Sequence, residues 1–374
     1  MKKVVVLGAG MVGSAIAADM CLDYQVTVLD IDQIRLDNLK KNHLLEINRI
    51  NLNDNELLIN SLNDCDLVIG AVPGFMGFNT LKKIIDAGRN VVDISFFDED
   101  PFDLDGLAQK NKVTAIVDCG IAPGLSNIVL GHYSKLMDVE SFECKVGGLP
   151  YKRNWPFQYK APFSPSDVIE EYTRPARMII NGKLEFREAL TETELVNINP
   201  VGTLEAFNTD GLRTLLKTMK IPNMKEKTLR YPGHTEYIKV LRETGFFSNE
   251  QIEIDGNLIS PVEVTKKLVF PKWKLEEGEK EFTVLEIIID GTAEGKKKKI
   301  KYNLFDKYDD KSNTTSMART TGYTCTAAAR LVLEGEFNQT GICPPEFIGM
   351  QKGCYEKITM LLKERNISAN ISDI

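Results

Sequence analysis

Gly8-Ala9-Gly10-Met11-Val12-Gly13 stands between the apolar run Lys3–Leu7 and a helix-compatible stretch, Ser14–Met20. A GxGxxG turn between a strand and a helix is built to hold a dinucleotide pyrophosphate. Gly8 permits the tight turn, Gly10 lets the phosphates approach the backbone, and Gly13 lets the helix pack on the strand. Met11 and Val12 open the helix, whose first N–H groups point at the anion. The run Gln25–Asp30 reads as a second strand ending in an acid 17 residues after Gly13. A carboxylate there accepts ribose hydroxyls and repels a 2′-phosphate, and Ile31-Asp32 rather than arginine follow it, so the expected cofactor is NAD. The same opening, with Lys2, Lys3 and an apolar run, also resembles a secretory signal. Three glycines inside the run argue against that reading, since each costs up to about 1 kcal/mol in a helix.

The elements that position this turn alternate strand and helix to about residue 120. Further strands are expected at Leu67–Pro73, Val91–Ser95 and Val113–Val117, with a helix over about 79–87. Ligands of doubly wound sheets lie beyond the carboxyl ends of the strands, which nominates Val72, Pro73, Asp93 and Ser95 as cofactor contacts and puts Asp118 at a strand end as well. Asp and Ser at such ends serve equally well as helix caps. Beyond residue 126 the period changes. Ser141–Val146 reads as a strand, Asn181-Gly182 marks a hairpin, and two long strands flank Ala293-Glu294-Gly295. The expected fold is α/β: a Rossmann doubly wound parallel sheet with a second α+β domain built on an antiparallel sheet. The expected domains are 1–125, 126–317 and a C-terminal helical segment, 318–374, returning to the first.

Composition narrows the class. The 374 residues suffice for two cores, and a net charge of −7 gives no reason to expect nucleic acid or an anionic membrane as partner. Lys296–Lys299 reads as a solvated face beside a turn. No apolar stretch reaches the 18 residues of a membrane span. Seven cysteines without a CxxC suggest reduced thiols and a cytoplasmic setting. The three histidines, His43, His132 and His234, are not paired at ligand spacing, so no metal is expected. Trp155 and Trp273 read as core or interface.

With these pieces placed, the chain resembles the saccharopine dehydrogenase family, and within it the lysine 6-dehydrogenase branch. The resemblance runs through VVVLGAGMVG, DCGIAPGLSN (118–127), GGLP (147–150), QYKAPFSP (158–165), INGK (180–183), LEAFNTDGLRTL (204–215) and KTLRYPGH (227–234). It implies oxidation of a C–N bond with hydride transfer to NAD or NADP. The saccharopine branch cleaves a secondary amine carrying a glutamate arm. The lysine branch removes the ε-amino group of lysine, giving a semialdehyde that cyclises to a piperideine carboxylate. Several positions depart from the saccharopine pattern. Ala122 stands for an acid, Val146 for cysteine, Phe96 for tyrosine, and Asp210 for an arginine able to hold a second carboxylate. These departures argue against saccharopine and favour lysine; the enzymatic alternative is a saccharopine- or carboxynorspermidine-type dehydrogenase acting on a secondary amine. An NAD-binding regulator without chemistry is the non-enzymatic alternative.

Hydride leaves the ε-carbon only if the nitrogen lone pair is available. Lysine's ammonium titrates near 10.4, so the neutral amine costs roughly 4.6 kcal/mol at pH 7. The site must desolvate the amine or supply a base. Asp118 is the first candidate base, beside a flexible turn at Gly120; its alternative is to cap that turn. His234 is the second, able to titrate near neutrality, with a helix N-cap as its alternative. Arg213 and Arg230 are candidates for the substrate's α-carboxylate, and Asp210 for its α-ammonium. Lys145 and Tyr159 would line the pocket, while Gly147 and Gly148 would admit substrate close to the backbone. The antiparallel domain is expected to form a homo-oligomer.

Overall fold

The computed structural model describes residues 1–276 and 278–374, which form two compact units. Met1–Met137 with Met317–Ser368 make the first, and Asp138–Ser316 with Ala369–Ile374 the second.

The first unit is a seven-stranded sheet in the spatial order Gly341–Cys343, Thr114–Ile116, Val91–Asp93, Leu67–Gly70, Lys3–Leu7, Gln25–Asp30, Glu46–Arg49. Every neighbour is parallel. Its inner strands are unbroken apolar runs such as Val4-Val5-Val6-Leu7, all buried, as a sheet covered on both faces requires. The order reverses between Lys3–Leu7 and Leu67–Gly70, which makes the glycine turn after Leu7 the topological switch point. This is the expected doubly wound fold. Two edge strands, Glu46–Arg49 and Gly341–Cys343, were not expected. The first is largely exposed and polar and the second has only three residues, so neither shows an apolar run long enough to read.

Two close helix contacts place the later segments of this unit. Gly322 of the helix Ser316–Glu334 lies on Ile16 of the helix Met11–Met20. Gly131 and Gly349 let the helices Leu125–Tyr133 and Pro345–Met350 touch backbone to backbone; a Cβ on either glycine would stand 2.1 or 2.0 Å from a carbonyl oxygen. That contact ties Leu125–Tyr133 to the first unit, which runs on to Met137 and not to the expected boundary at 125.

The second unit holds a nine-stranded, mostly antiparallel sheet. Asp138–Pro150 lies at its centre, antiparallel to Glu281–Ala293 and parallel to Asn223–Arg230. Two tight turns are the ones read from the residues. Asn181 and Gly182 both take positive φ (51° and 77°), as do Glu294 and Gly295 (51° and 75°), which is the twist-matched turn of a two-residue hairpin. The lysine run beside the second turn is solvated and paired across the sheet: Lys297 with Glu140 at 2.6 Å and Lys299 with Asp290 at 3.5 Å. Trp273 is in the core, packed with Tyr159, Tyr172 and Phe157, whereas Trp155 is exposed against Tyr237. Among the described residues, no helix is long and apolar enough to cross a membrane.

Candidate active site

In the first unit the glycine turn is shaped by contacts that exclude side chains. Gly8 takes φ +105°, and a Cβ there would stand 2.4 Å from the Ala71 carbonyl oxygen. A Cβ on Gly13 would stand 2.1 Å from the Gly8 oxygen. Gly10 is different: the nearest atom to its missing side chain is Arg35 Nη1, 4.0 Å away, so its open face is left for a ligand. Gly10 is also the N-cap of Met11–Met20 and no side chain caps that helix, which leaves the N–H groups around Met11 and Val12 available to an anion. Asp30 braces the turn, its Oδ2 accepting from Ala9 N at 2.5 Å and its Oδ1 from Asp32 N at 2.8 Å. An ionised carboxylate has about four acceptor positions, so capacity remains for ribose hydroxyls. These residues fit a dinucleotide. Arg35 was not foreseen; an ion pair from its Nε to Asp32 (3.2 Å) holds its guanidinium by Gly10.

The other strand-end residues divide. Pro73 is exposed as the N-cap of Gly74–Asp86, but the side chain of Val72 is buried in the core. Asp93 and Ser95, nominated as cofactor contacts, turn inward. Asp93 is fully buried and accepts from Ser95 N at 2.8 Å and Ser95 Oγ at 3.3 Å, an Asx turn that folds the chain back as it leaves the strand. Asp118 is buried at φ +53°, an uncommon conformation for a residue other than glycine. The turn after it is tight, not flexible. Gly124 has φ +132°, Leu125 N donates to Gly120 O at 2.9 Å, and a Cβ on Gly124 would lie 1.9 Å from that oxygen.

In the second unit the candidates gather, mostly in ion pairs and hydrogen bonds that their separate positions do not reveal. Arg230 donates to Glu171 Oε2 (2.7 Å), Tyr172 OH (3.2 Å), Tyr159 OH (3.3 Å) and Leu229 O (3.0 Å). Its guanidinium also lies 4.3 Å from the Tyr159 ring centre. Burial opposes its charge, but both tyrosines and Glu171 hold it protonated. Its fork is therefore spent on the protein and does not await a substrate carboxylate. Tyr159, expected to line the pocket, is instead packed in the core of the second unit.

His234 continues this network. Nδ1 lies 2.8 Å from Phe157 O and Nε2 2.9 Å from Tyr172 OH. A carbonyl only accepts, so Nδ1 carries the proton and Nε2 accepts from Tyr172. Burial, and then the neighbouring Arg230, push its pKa down to about 3. His234 is thus a neutral structural imidazole, and the expectation of titration near neutrality fails because the ring is enclosed beside a fixed cation.

Asp210 is taken as well. Its Oδ1 accepts from Arg177 Nε and its Oδ2 from Arg177 Nη2, both at 2.8 Å, and Arg177 N adds a third bond. This bidentate pair occupies the acid proposed for the α-ammonium. Lys145 is buried between Glu143 (2.9 Å) and Glu286 (3.6 Å); burial lowers its pKa, but the two acids outweigh burial and raise it. Gly147 does not open a path for substrate, because Leu229 fills its bare side: a Cβ would meet Leu229 at 2.8 Å. Gly148 is buried opposite Thr283 in the ladder. Arg213 is buried at φ +49°. Glu171, Arg177 and Glu226 were missed by the sequence reading. Glu226 is buried, with Oε2 enclosed and without a hydrogen-bond partner; burial, then Glu171 and Asp210, raise its pKa well above the usual range.

A Rossmann unit with an open glycine cradle, carried with a second mostly antiparallel unit, defines a class of dinucleotide-binding proteins. Comparison with known proteins narrows it. Residues 4–116 match the saccharopine dehydrogenase NADP binding domain and residues 120–367 the saccharopine dehydrogenase C-terminal domain, so the chain belongs to the saccharopine dehydrogenase family. Its first unit is accordingly an NAD(P)-binding domain. The mitochondrial alpha-aminoadipic semialdehyde synthase of Mus musculus is 23% identical over 99% of this chain, which spans only 47% of that relative. The chain thus spans about half the length of such relatives. A saccharopine dehydrogenase [NADP(+), L-glutamate-forming] of Schizosaccharomyces pombe is 22% identical over 84% of this chain and 86% of its own. A carboxyaminopropylagmatine dehydrogenase of Synechocystis is 21% identical over 91% and 92%. The apo saccharopine dehydrogenase (L-Glu forming) of Saccharomyces cerevisiae superposes with a TM-score of 0.81 at 20% identity, covering both chains completely, which establishes the shared fold.

Proposed function

We propose that this protein is an NAD-dependent amine oxidoreductase that deaminates the ε-carbon of L-lysine. It would yield 2-aminoadipate 6-semialdehyde, which cyclises to piperideine-6-carboxylate, with ammonia and NADH. One observation carries the choice of substrate. The second unit pairs Arg177 with Asp210 and Arg230 with Glu171, and adds the acid Glu226. Neither paired arginine is available to a second carboxylate, and the surplus is acidic. That balance suits a compact diamino acid and disfavours saccharopine, whose glutamate arm brings a further anion.

The nicotinamide, when bound, accepts the hydride. What the chain itself must do is free the amine lone pair and then direct water to the imine carbon. Asp118 is our candidate for the proton transfers, because it ends a strand at the side of the sheet where such folds take ligands. Arg213 is our candidate for the α-carboxylate. We expect NADH formation from L-lysine, with kcat/KM rising about tenfold per pH unit from pH 7 as the free amine becomes commoner. A flat profile between pH 7 and 10 would contradict the lone-pair argument, and turnover of saccharopine but not lysine would reject the substrate. Carboxyaminopropylagmatine belongs in the same assay, because the relative of that activity covers the chain nearly end to end and a cationic arm would also suit the acids.

For the cofactor, Asp30 favours the unphosphorylated ribose, while Arg35 beside Gly10 offers the opposite attraction. We expect tighter binding of NADH than of NADPH. Asp30→Ala should weaken NADH by roughly tenfold and erase most of the preference, whereas Arg35→Ala should weaken NADPH more than NADH. Fluorescence titration of the three proteins with each coenzyme reads all six constants, and equal losses for both coenzymes in Asp30→Ala would remove Asp30 from the selection.

A further inference from the structure

Three carboxyl groups of the second unit, Glu171, Asp210 and Glu226, lie close enough to interact electrostatically, and among the described residues only Glu171 and Asp210 have a cation. Glu226 is 6% exposed, and its Oε2 has no partner among the described residues. The chain makes room for this carboxyl at Gly211. A Cβ at that position would stand 0.9 Å from Glu226 Oε2 and 1.9 Å from its carboxyl carbon. A buried polar atom without a partner is rare in native proteins and calls for an explanation. Here Gly211, beside Asp210, leaves the space that admits one.

We propose that Glu226 recognises the α-ammonium of the amino-acid substrate, making it the specificity residue that Asp210 cannot be because Arg177 holds it. This rests on the amine-oxidising function proposed above and names the part of the site that selects an α-amino acid. The chemistry points to a cation with several N–H donors, and a primary ammonium has three. The acids also decide which nitrogen of a diamino acid they take. Negative charge stabilises an ammonium and raises its pKa, whereas the reacting ε-nitrogen must lose its proton. The acid cluster is therefore the place for the nitrogen that does not react. Without substrate, burial and then its acidic neighbours Glu171 and Asp210 favour the protonated form of Glu226. As the α-ammonium arrives, the Glu226 O–H bond breaks, the proton passes to solvent, and an ion pair replaces the neutral acid.

Glu226→Gln keeps the shape of the protonated acid but cannot take a negative charge. It should lower kcat/KM for L-lysine by roughly 30-fold, through KM. It should leave 6-aminohexanoate, which has the reacting amine and carboxylate but no α-amine, within about threefold of wild type. Equal losses on both compounds, or no loss on lysine, would overturn the assignment. Should the variant fail to fold, wild type decides the matter. Calorimetry of L-lysine binding to the enzyme–NADH complex, in phosphate and in Tris at about pH 7, should show one more proton released than for 6-aminohexanoate. An equal count would overturn the assignment. If 6-aminohexanoate shows no binding, a lysine titration that releases no proton overturns it and one that does release a proton supports it. Wild type that oxidises neither compound refutes the proposed function and this assignment together; lysine turnover with an equal proton count refutes the assignment alone.

Discussion

Gly10→Ala should leave a folded protein that has lost most of its coenzyme affinity, while Gly13→Ala should compromise the fold itself. The two glycines are three residues apart in one motif, yet their surroundings differ. At Gly13 a methyl group would stand 2.1 Å from the Gly8 carbonyl oxygen, and backbone cannot move aside there without separating the first helix from the sheet. Overpacking of this kind costs about 1–3 kcal/mol and more where relaxation is blocked. At Gly10 the nearest atom is the end of an exposed arginine 4.0 Å away, so a methyl group is accommodated and meets only an incoming ligand. We expect Gly10→Ala to melt within about 2 °C of wild type, a change of well under 1 kcal/mol, and to bind NADH at least about 30-fold more weakly, since phosphates must approach that backbone closely. Wild-type affinity in Gly10→Ala would mean that the cradle is not where the coenzyme sits.

The second large effect belongs to Arg230. Arg230→Met should destabilise the second unit by about 3–5 kcal/mol, because it leaves Glu171 without its cation and removes a donor from Tyr172, which in turn holds His234. For a unit of this size that is a fall in melting temperature of roughly 10 °C. Removing both charges in Arg230→Met/Glu171→Leu should restore much of the loss, as a buried pair replaced by apolar groups often is nearly neutral. Scanning calorimetry on the three proteins gives the comparison. If Arg230→Met instead melted like wild type and raised KM for the amino-acid substrate, the guanidinium would be a carboxylate clamp after all, and the pairing with Glu171 would have to open on binding.

Gly10 and Arg230 owe their roles to different ranges of the chain. The residues alone determined the glycine turn, the acid at position 30 and the two hairpins with Asn181-Gly182 and Glu294-Gly295. Each of these is a local rule: a positive φ, a close backbone approach, or a strand and helix period that six or eight consecutive residues carry by themselves. They sufficed for the two-part architecture, because a parallel sheet and a hairpin sheet differ in pattern at that same short range.

The tertiary structure alone decided the fate of the polar candidates. Arg177 finds Asp210 from 33 residues away and Arg230 finds Glu171 from 59, and no spacing in the sequence announces either pair. His234 looked titratable until the core enclosed it, and Gly147 looked open until Leu229 filled its side. A side chain's charge, burial and freedom to meet a ligand are set by neighbours that folding brings from distant parts of the chain. Residue type limits what such a group can do; the packing around it decides whether the group is spent on the protein, as at Asp210, or left over, as at Glu226.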